Sequence, residues 1–554
     1  MLHIPSSSRS YVSVLALLVL SIASRTNLQS QSESAYETIL AQEFEGYQSG
    51  ASVLVAKDGE ILFKGAIGLA NLDQEVQNTA EHIFRIGSIT KEFTAVAVLQ
   101  LQEQGKLKLA DPIHKYLPDY PQQGKGITIE HLLTHTSGIK SYTGMAEVAH
   151  LQSTEATPKQ IINVFKDAPM ESTPGTVYQY NNYGYVLLGA IIEQASGMSY
   201  QAYLEQHIFQ PAKMQHTYFG EAKAPLRGRA TGYQMQDGKF AKAPYLNMSI
   251  PYAAGALLSN VDDLYTWVKA LQAHQLLSKS SLQKALSPHQ LEDGSKIPYG
   301  YGFQLDEMYG KKVVGHDGVI QGFLAYALYL PEEDLFVAVL SNCTCKNPVG
   351  TANKLAAYAL GEFPLLQKEL SDSNLGDHYV GRYQYDEEMQ QDIFVEGNQL
   401  YSLSTGDRRR PLYQGDKDQF FFEGGLISIE FIRNEAGEVV GMERSDKGRV
   451  LAKAEKISAT VAKKEAIQLK EAELQEYVGK YDLGPFHLFI TLEKDKLFGQ
   501  PEGQSKEELF AKAKDHLFLK AVDAEMEFFR KDGLVQAVKV TIGKNSFEGK
   551  LVQE

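Results

Sequence analysis

The chain has 554 residues. One hydrophobic core stops growing at roughly 250–300 residues, so two or three domains are expected. Its 43% hydrophobic and 22% charged residues are ordinary for a soluble globular protein. The net charge of -14 excludes nucleic acid as an expected partner, because phosphate binding needs a basic surface.

At the start, Arg9 precedes an apolar run from Val12 to Leu20, and Ser21-Ile22-Ala23 then supplies small residues. Residues 1–23 therefore read as a signal peptide, which implies a secreted or periplasmic protein. The alternative is an uncleaved anchor in the inner membrane, but the run is short for a span of roughly 20 residues. No cysteine follows the run, so lipid attachment there is not expected.

Next come two β segments, Ser52 to Ala56 and Ile61 to Phe63, around Lys57-Asp58-Gly59-Glu60. An Asp-Gly pair between apolar runs predicts a hairpin. Helical patterns follow at Lys91 to Gln104 and Tyr183 to Gln194. A second hairpin is predicted from Phe323 to Tyr329 and Leu335 to Leu340 around Pro331-Glu332-Glu333-Asp334. Strands at both ends with helices between predict an α+β domain over 35–362, an antiparallel sheet flanked by helices. The two cysteines, Cys343 and Cys345, are too close for a comfortable bridge on an extended strand. They read as structural thiols or as a strained local disulfide.

Beyond about residue 375 the texture becomes short alternating strands with Gly, Asp and Asn turns. Tyr379-Val380-Gly381-Arg382-Tyr383 returns as Tyr477-Val478-Gly479-Lys480-Tyr481. Ile429-Glu430-Phe431 before Gly437 returns as Met526-Glu527-Phe528 before Gly533. A domain-sized period predicts two small all-β barrels, over 375–456 and 470–554. The polar stretches 364–374 and 458–470 would link them.

A serine hydroxyl needs a base beside it to attack at neutral pH. Ser-x-x-Lys places one on the same helix face, and the chain has three such pairs: Ser88/Lys91, Ser137/Lys140 and Ser281/Lys284. Only the first opens an apolar, and hence buried, helical segment. Burial and the helix N-terminus both favour a neutral, basic Lys91. Ser137/Lys140 lies in a turn, and Ser281/Lys284 on a polar stretch. Tyr180-Asn181-Asn182 sits in a loop at a helix N-terminus, where a nearby lysine cation is expected to ease a proton from Tyr180. Asn182 can offer its amide to a substrate carbonyl. A second Tyr-x-Asn, at Tyr245-Leu246-Asn247, lacks that context.

Gly315-His316-Asp317-Gly318-Val319 precedes the last hairpin and is expected on a strand at the sheet edge. Its glycines would let a substrate backbone approach closely. His316 and Gly318 are thus candidates for substrate binding. The backbone N–H groups of Val319 and Ser88 are candidates for an oxyanion hole. His131 and His135 have helical spacing for a metal pair but lack the Glu of a His-Glu-x-x-His pattern. Neither metal nor cofactor is expected.

In order and context, the motifs at Ser88, Tyr180 and His316 resemble the serine β-lactamase and penicillin-binding-protein superfamily, most nearly its class C β-lactamase-like hydrolases. The segment Ile127 to Gly138, Ala253-Ala254-Gly255 with Ser259 to Leu264, and Ser341-Asn342 are similar to further family signatures. The resemblance implies Ser88 as acylated nucleophile, Lys91 and Tyr180 as base and proton carriers in an order left open, and Asn182 as substrate ligand. It assigns the His131/His135 segment a structural part.

The third motif of true β-lactamases begins with Lys, where this chain has His316. A histidine is only partly charged near neutral pH, and Asp317 adds repulsion toward a substrate carboxylate. His-x-Gly resembles the esterases and D-amino-acid peptidases of the superfamily. A catalytic domain followed by two barrels is similar to bacterial D-stereospecific aminopeptidases.

Three functions follow as expectations. The first is a hydrolase of peptides or amides, with D-residues among them, or of small esters. The second is a β-lactamase or D,D-carboxypeptidase. The third is a non-catalytic sensor of cell-wall fragments. The expected partner is a small-molecule or peptide substrate. The barrels are expected to border the active-site mouth or to mediate self-association.

Overall fold

The computed structural model describes residues 34–140, 153–220, 227–363, 378–461 and 464–552. The expected signal segment, 1–23, and the first linker, 364–374, lie outside the described residues. The chain forms two compact units that divide near residue 365.

In the first unit, β1 (Ala51–Lys57) and β2 (Glu60–Ile67) form the early hairpin. Asp58 and Gly59 both take positive φ, 53° and 80°, as a tight two-residue turn requires. The helices that matter for the site are α1 (Thr90–Glu103), α2 (Asn182–Ser196), α3 (Val261–Gln272) and α4 (Lys279–Ala285). The other strands of the main sheet are β3 (Gln304–Met308), β4 (Lys311–Ile320), β5 (Phe323–Leu330) and β6 (Leu335–Ser341), followed by α5 (Pro348–Leu360).

These six strands make one antiparallel sheet in the order β3-β4-β5-β6-β1-β2. The N-terminal strand inserts beside β6 because its Ala-Ser-Val-Leu-Val-Ala run is apolar on both faces. Leu54 and Ala56 join the main helical core, while Val53 and Val55, also buried, point to the opposite face. In α1, residues Thr90 to Leu101 are all buried, so this helix runs through the centre of the unit as its apolar sequence predicts.

β4 is not the outermost strand, as a sheet-edge position for His316 would have it. However, its pairing with β3 ends at Gly315, opposite Gln304. Residues 316–320 therefore pair only with β5, which leaves their other side open to the segment carrying Ser88. Cys343 and Cys345 are joined as a disulfide. They lie in the turn after β6 rather than on an extended strand, which is what lets neighbours so close be bridged.

The second unit holds two closed antiparallel barrels of eight strands each. One runs from Gly381–Gln384 to Arg449–Ser458, the other from Gly479–Asp482 to Asn545–Leu551. The sequence repeat has a structural cause. The Tyr383 hydroxyl donates to the Tyr379 carbonyl at 2.8 Å, and Tyr481 does the same to Tyr477 at 2.8 Å. Arg433 clasps Asp418 at 2.7 Å and lies over the Tyr379 ring; Arg530 clasps Asp515 at 2.7 Å and lies over Tyr477. Each arginine follows a register shift in its strand pair, between Ile432 and Arg433 and between Phe529 and Arg530. The barrels touch at the loop around Arg409, where Arg409 N–H donates to Ala521 O at 2.7 Å and Asp523 N–H to Asp407 O at 3.0 Å, and through a Lys544–Glu388 ion pair at 2.7 Å.

Candidate active site

Ser88 sits in a single 3-10 turn, Gly87–Ile89, that leads directly into α1. Gly87 has φ +50°, and a Cβ there would come within 2.9 Å of the Val319 nitrogen. A Cβ on Gly318 would meet the Ile86 carbonyl oxygen at 2.1 Å. The two glycines thus let β4 and the Ser88 turn pack backbone against backbone. The close approach at Gly318 is made by Ile86, where a substrate backbone was expected. The packing sets the Val319 nitrogen beside the residue preceding Ser88.

Lys91 is completely buried. Its Nζ donates to Ser88 Oγ at 2.9 Å, Asn182 Oδ1 at 2.8 Å and Ala254 O at 2.8 Å. It also lies 4.9 Å from the centre of the Tyr180 ring and 5.5 Å from that of Tyr185. Burial pulls its pKa from 10.5 to about 7, with Asp317 acting in the opposite direction. Two of the three partners, an amide oxygen and a carbonyl, can only accept. A neutral Lys91 therefore keeps N–H bonds to Asn182 and Ala254 and turns its lone pair to the Ser88 hydroxyl. Loss of one proton converts the lysine from donor to acceptor toward the serine.

Tyr180 lies in the loop before α2. Its hydroxyl is buried and near enough to Ser88 for the serine to lower its pKa, yet no hydrogen bond closes. The expectation that the lysine cation would ease its proton off is reversed. Burial dominates and drives the pKa well above 10, so Tyr180 stays protonated. Asn181 caps α2, accepting from the N–H groups of Tyr183 at 2.7 Å and Gly184 at 3.2 Å. That cap fixes Tyr180 on one side of the helix start and Asn182 on the other.

His316 has no exposed surface. Its Nδ1 lies 2.6 Å from the Asp317 carbonyl oxygen, which can only accept, so Nδ1 carries the proton. Nε2 then accepts from the Tyr299 hydroxyl at 3.0 Å. Burial and the nearby Lys91 lower the His316 pKa to about 4, so the ring is neutral. It is a buried prop between Tyr299 and β4, and no cation stands where the related motif has a lysine. Asp317 is half-buried and accepts from Gln304 Nε2 at 2.5 Å.

The remaining pairs fall elsewhere. Ser137 and Lys140 lie in a turn, and Lys284 on α4 pairs with Glu130 at 3.4 Å. Tyr245 is 61% exposed. His131 and His135 each accept a backbone N–H on Nδ1, from Thr128 at 3.3 Å and Asn181 at 3.0 Å.

His135 has a larger part than its sequence context indicates. It takes a left-handed backbone with φ +58°, is 2% exposed, and packs against Tyr180 at 4.4 Å, Tyr185 at 5.0 Å and Tyr299 at 4.7 Å between ring centres. Through Asn181 it joins the α2 cap, so it holds both Tyr180 and Asn182 in place. Tyr299 was not singled out from the sequence. Its one signal is the run Tyr299-Gly300-Tyr301-Gly302, whose glycines pass within van der Waals reach of Ala285 O and Lys91 O.

An antiparallel sheet backed by helices, with Ser88 bonded to the buried Lys91 at the start of the central helix, defines a serine hydrolase of the β-lactamase/transpeptidase fold. The family model described as Beta-lactamase matches residues 39–361, more than half of the chain, and the chain belongs to that family. It is 27% identical over 435 residues to penicillin-binding protein 4* of Bacillus subtilis (strain 168), covering 74% of this chain and 95% of that protein. Among solved structures, it is similar to the octameric penicillin-binding protein homologue from Pyrococcus abyssi, with TM-score 0.53 and 28% identity over 77% of this chain and 99% of that one. It is also similar to a D-stereospecific amidohydrolase from a Streptomyces species, with TM-score 0.52 and 28% identity over 58% of this chain and 98% of that one.

Proposed function

We propose that this protein is a secreted hydrolase that forms an acyl-enzyme on Ser88 and acts on amides and short peptides with D-residues, or on small esters. The observation that carries the chemistry is the 2.9 Å contact between Ser88 Oγ and a lysine whose pKa burial brings to about 7. Neutral Lys91 takes the Ser88 proton as Oγ attacks the substrate carbonyl carbon. The Ser88 and Val319 N–H groups receive the negative charge on the carbonyl oxygen. Asn182 orients the acyl group. Protonated Tyr180 relays a proton to the departing amine or alcohol and recovers one from Lys91. Water then takes the place of the leaving group and releases the acid.

The neutral His316, with the Asp317 carboxylate beside it, favours substrates without a free carboxylate at that position. The amidohydrolase neighbour supports D-configured amides. The names of the penicillin-binding relatives support the second reading, a D,D-carboxypeptidase or β-lactamase, but His316 gives such a substrate no cation. The Ser88–Lys91 contact weighs against an idle sensor.

The test is labelling with a fluorophosphonate, followed by a substrate panel with Ser88→Ala as control. Label on Ser88 and turnover of a D-alanyl amide or p-nitrophenyl ester well above that of a chromogenic cephalosporin are expected. An unlabelled Ser88 overturns the enzyme reading, and faster cephalosporin turnover overturns the substrate reading.

Export is supported by the apolar run before Ala23 and by the Cys343–Cys345 disulfide, which persists in oxidising compartments. The N-terminal sequence of the protein recovered from the cell envelope or medium tests it. The barrels are proposed as surfaces for self-association, a reading supported by the octameric homologue. Light scattering on the full chain tests that, and a monomer at all concentrations refutes it.

A further inference from the structure

The helical turn that sets Lys91 beside Ser88 presents Ile89 and Glu92 to a cavity of about 450 Å³. Its other walls come from α3 at Leu264 and Trp267, from α4 at Leu282, and from β5 at Leu328. The volume falls in the roughly 300–1,000 Å³ range of small-molecule sites, and these walls are aliphatic or aromatic.

Glu92 breaks that pattern. It is 3% exposed, and its Oε2 accepts from Trp267 Nε1 at 2.8 Å. Its other oxygen makes no hydrogen bond among the described residues. An oxygen so placed on the cavity wall can exchange a hydrogen bond with whatever fills the cavity. Burial pushes the Glu92 pKa from 4.5 to about 8, so at neutral pH the carboxyl carries a proton and offers an O–H donor.

We propose that this cavity is a second binding site, separate from the Ser88–Lys91 site, for a neutral small molecule with an apolar body and one hydroxyl or carbonyl oxygen that accepts a hydrogen bond from Glu92. The chemistry selects against charged heads. An anionic head buried against an apolar wall costs more free energy than one hydrogen bond from Glu92 returns. An ammonium head would demand an ionised Glu92 within an apolar wall. The mouth carries exposed His274 and Lys279, which leaves the apolar interior to the body of the ligand.

Trp267 is the single tryptophan of the chain, and it stands in the cavity wall bonded to Glu92. Its fluorescence therefore reports occupancy directly. The full chain is titrated with 1-octanol, octanoate and octylamine at a pH well below the Glu92 pKa. A saturable change with 1-octanol is expected, with about tenfold weaker binding of the two ions, as one lost hydrogen bond implies. Glu92→Gln, whose amide still donates, retains the 1-octanol response, and Glu92→Leu weakens it about tenfold. Val268→Phe narrows the cavity and weakens the response while the variant still melts cooperatively. No saturable response to 1-octanol, an undiminished one in Val268→Phe, or octanoate binding as tight as 1-octanol overturns the proposal. Ser88 labelling is unaffected by any of these results, so this site and the proposed hydrolase activity stand or fall separately.

Discussion

Asp317 opposes the burial that strips Lys91 of its proton: the carboxylate raises the lysine pKa while the apolar surroundings lower it, and the balance rests at about 7. The wild-type rate should therefore rise as pH increases through about 7, because only neutral Lys91 can take the serine proton. Asp317→Asn removes the opposing charge, so the lysine pKa falls and the acid limb of kcat/KM moves to lower pH. An acid limb that stays in place in Asp317→Asn would show that Lys91 does not set it.

Replacing Lys91 by Met should lower kcat/KM by about 10²–10⁴-fold, the usual range for a lost general base. Tyr180→Phe should lower kcat while the acid limb remains near pH 7, because burial keeps the tyrosine protonated throughout this range. A limb that disappears in Tyr180→Phe would instead make the tyrosine the titrating base.

His135→Ala removes the acceptor for the Asn181 N–H and one wall of the Tyr180 pocket. An unpaired buried N–H costs about 1–3 kcal/mol. The expected result is a lower melting temperature together with a fall in kcat that exceeds any change in KM. A steady-state assay beside a thermal melt checks both, and a purely structural role would leave kcat of the folded fraction unchanged.

Glu92 ties stability to pH. Its pKa is 4.5 in the unfolded chain and about 8 when folded, so between these values the folded state alone holds the proton. Stability from this group is fully present below 4.5 and is lost as pH rises to about 8. Glu92→Gln keeps an acceptor for Trp267 and abolishes the titration. Its advantage in melting temperature over wild type should grow across that window and level off above it. Equal pH slopes for the two proteins would contradict a protonated Glu92.

In the second barrel, Asp515→Ala removes the Arg530–Asp515 hydrogen bonds and breaks the clasp on Tyr477, leaving Arg530 only Glu476 and the Gly533 carbonyl. About 1–3 kcal/mol of local stability should be lost. Hydrogen exchange should show it, with faster exchange concentrated in the strands of that barrel.

Both hairpins, the central helix and the double barrel were legible because each rests on local periodicity, turn chemistry or repetition. The Ser88–Lys91 pair was legible for a related reason: both residues lie on one helical turn in an apolar segment. The state of Tyr180 was not, since its proton affinity depends on burial by His135, Tyr185 and Tyr299 from distant parts of the chain. Gly318 was noticed for the right property, close approach, but the approaching group is Ile86, which only the tertiary packing could reveal. Glu92 stands next to Lys91 in sequence and drew no attention, because a carboxylate on a helix is ordinarily solvated.

Two copies of one topology in tandem invite strand exchange, in which a segment of one barrel completes its twin. The register shifts act against it. Both copies keep the shift beside the clasping arginine, but the first has others at Arg382/Tyr383 and Arg444/Ser445, and the second has one between Ala511 and Ala513. A strand transplanted between copies would meet its neighbours out of step at these seams. The duplicated unit has thereby acquired an address for each of its strands.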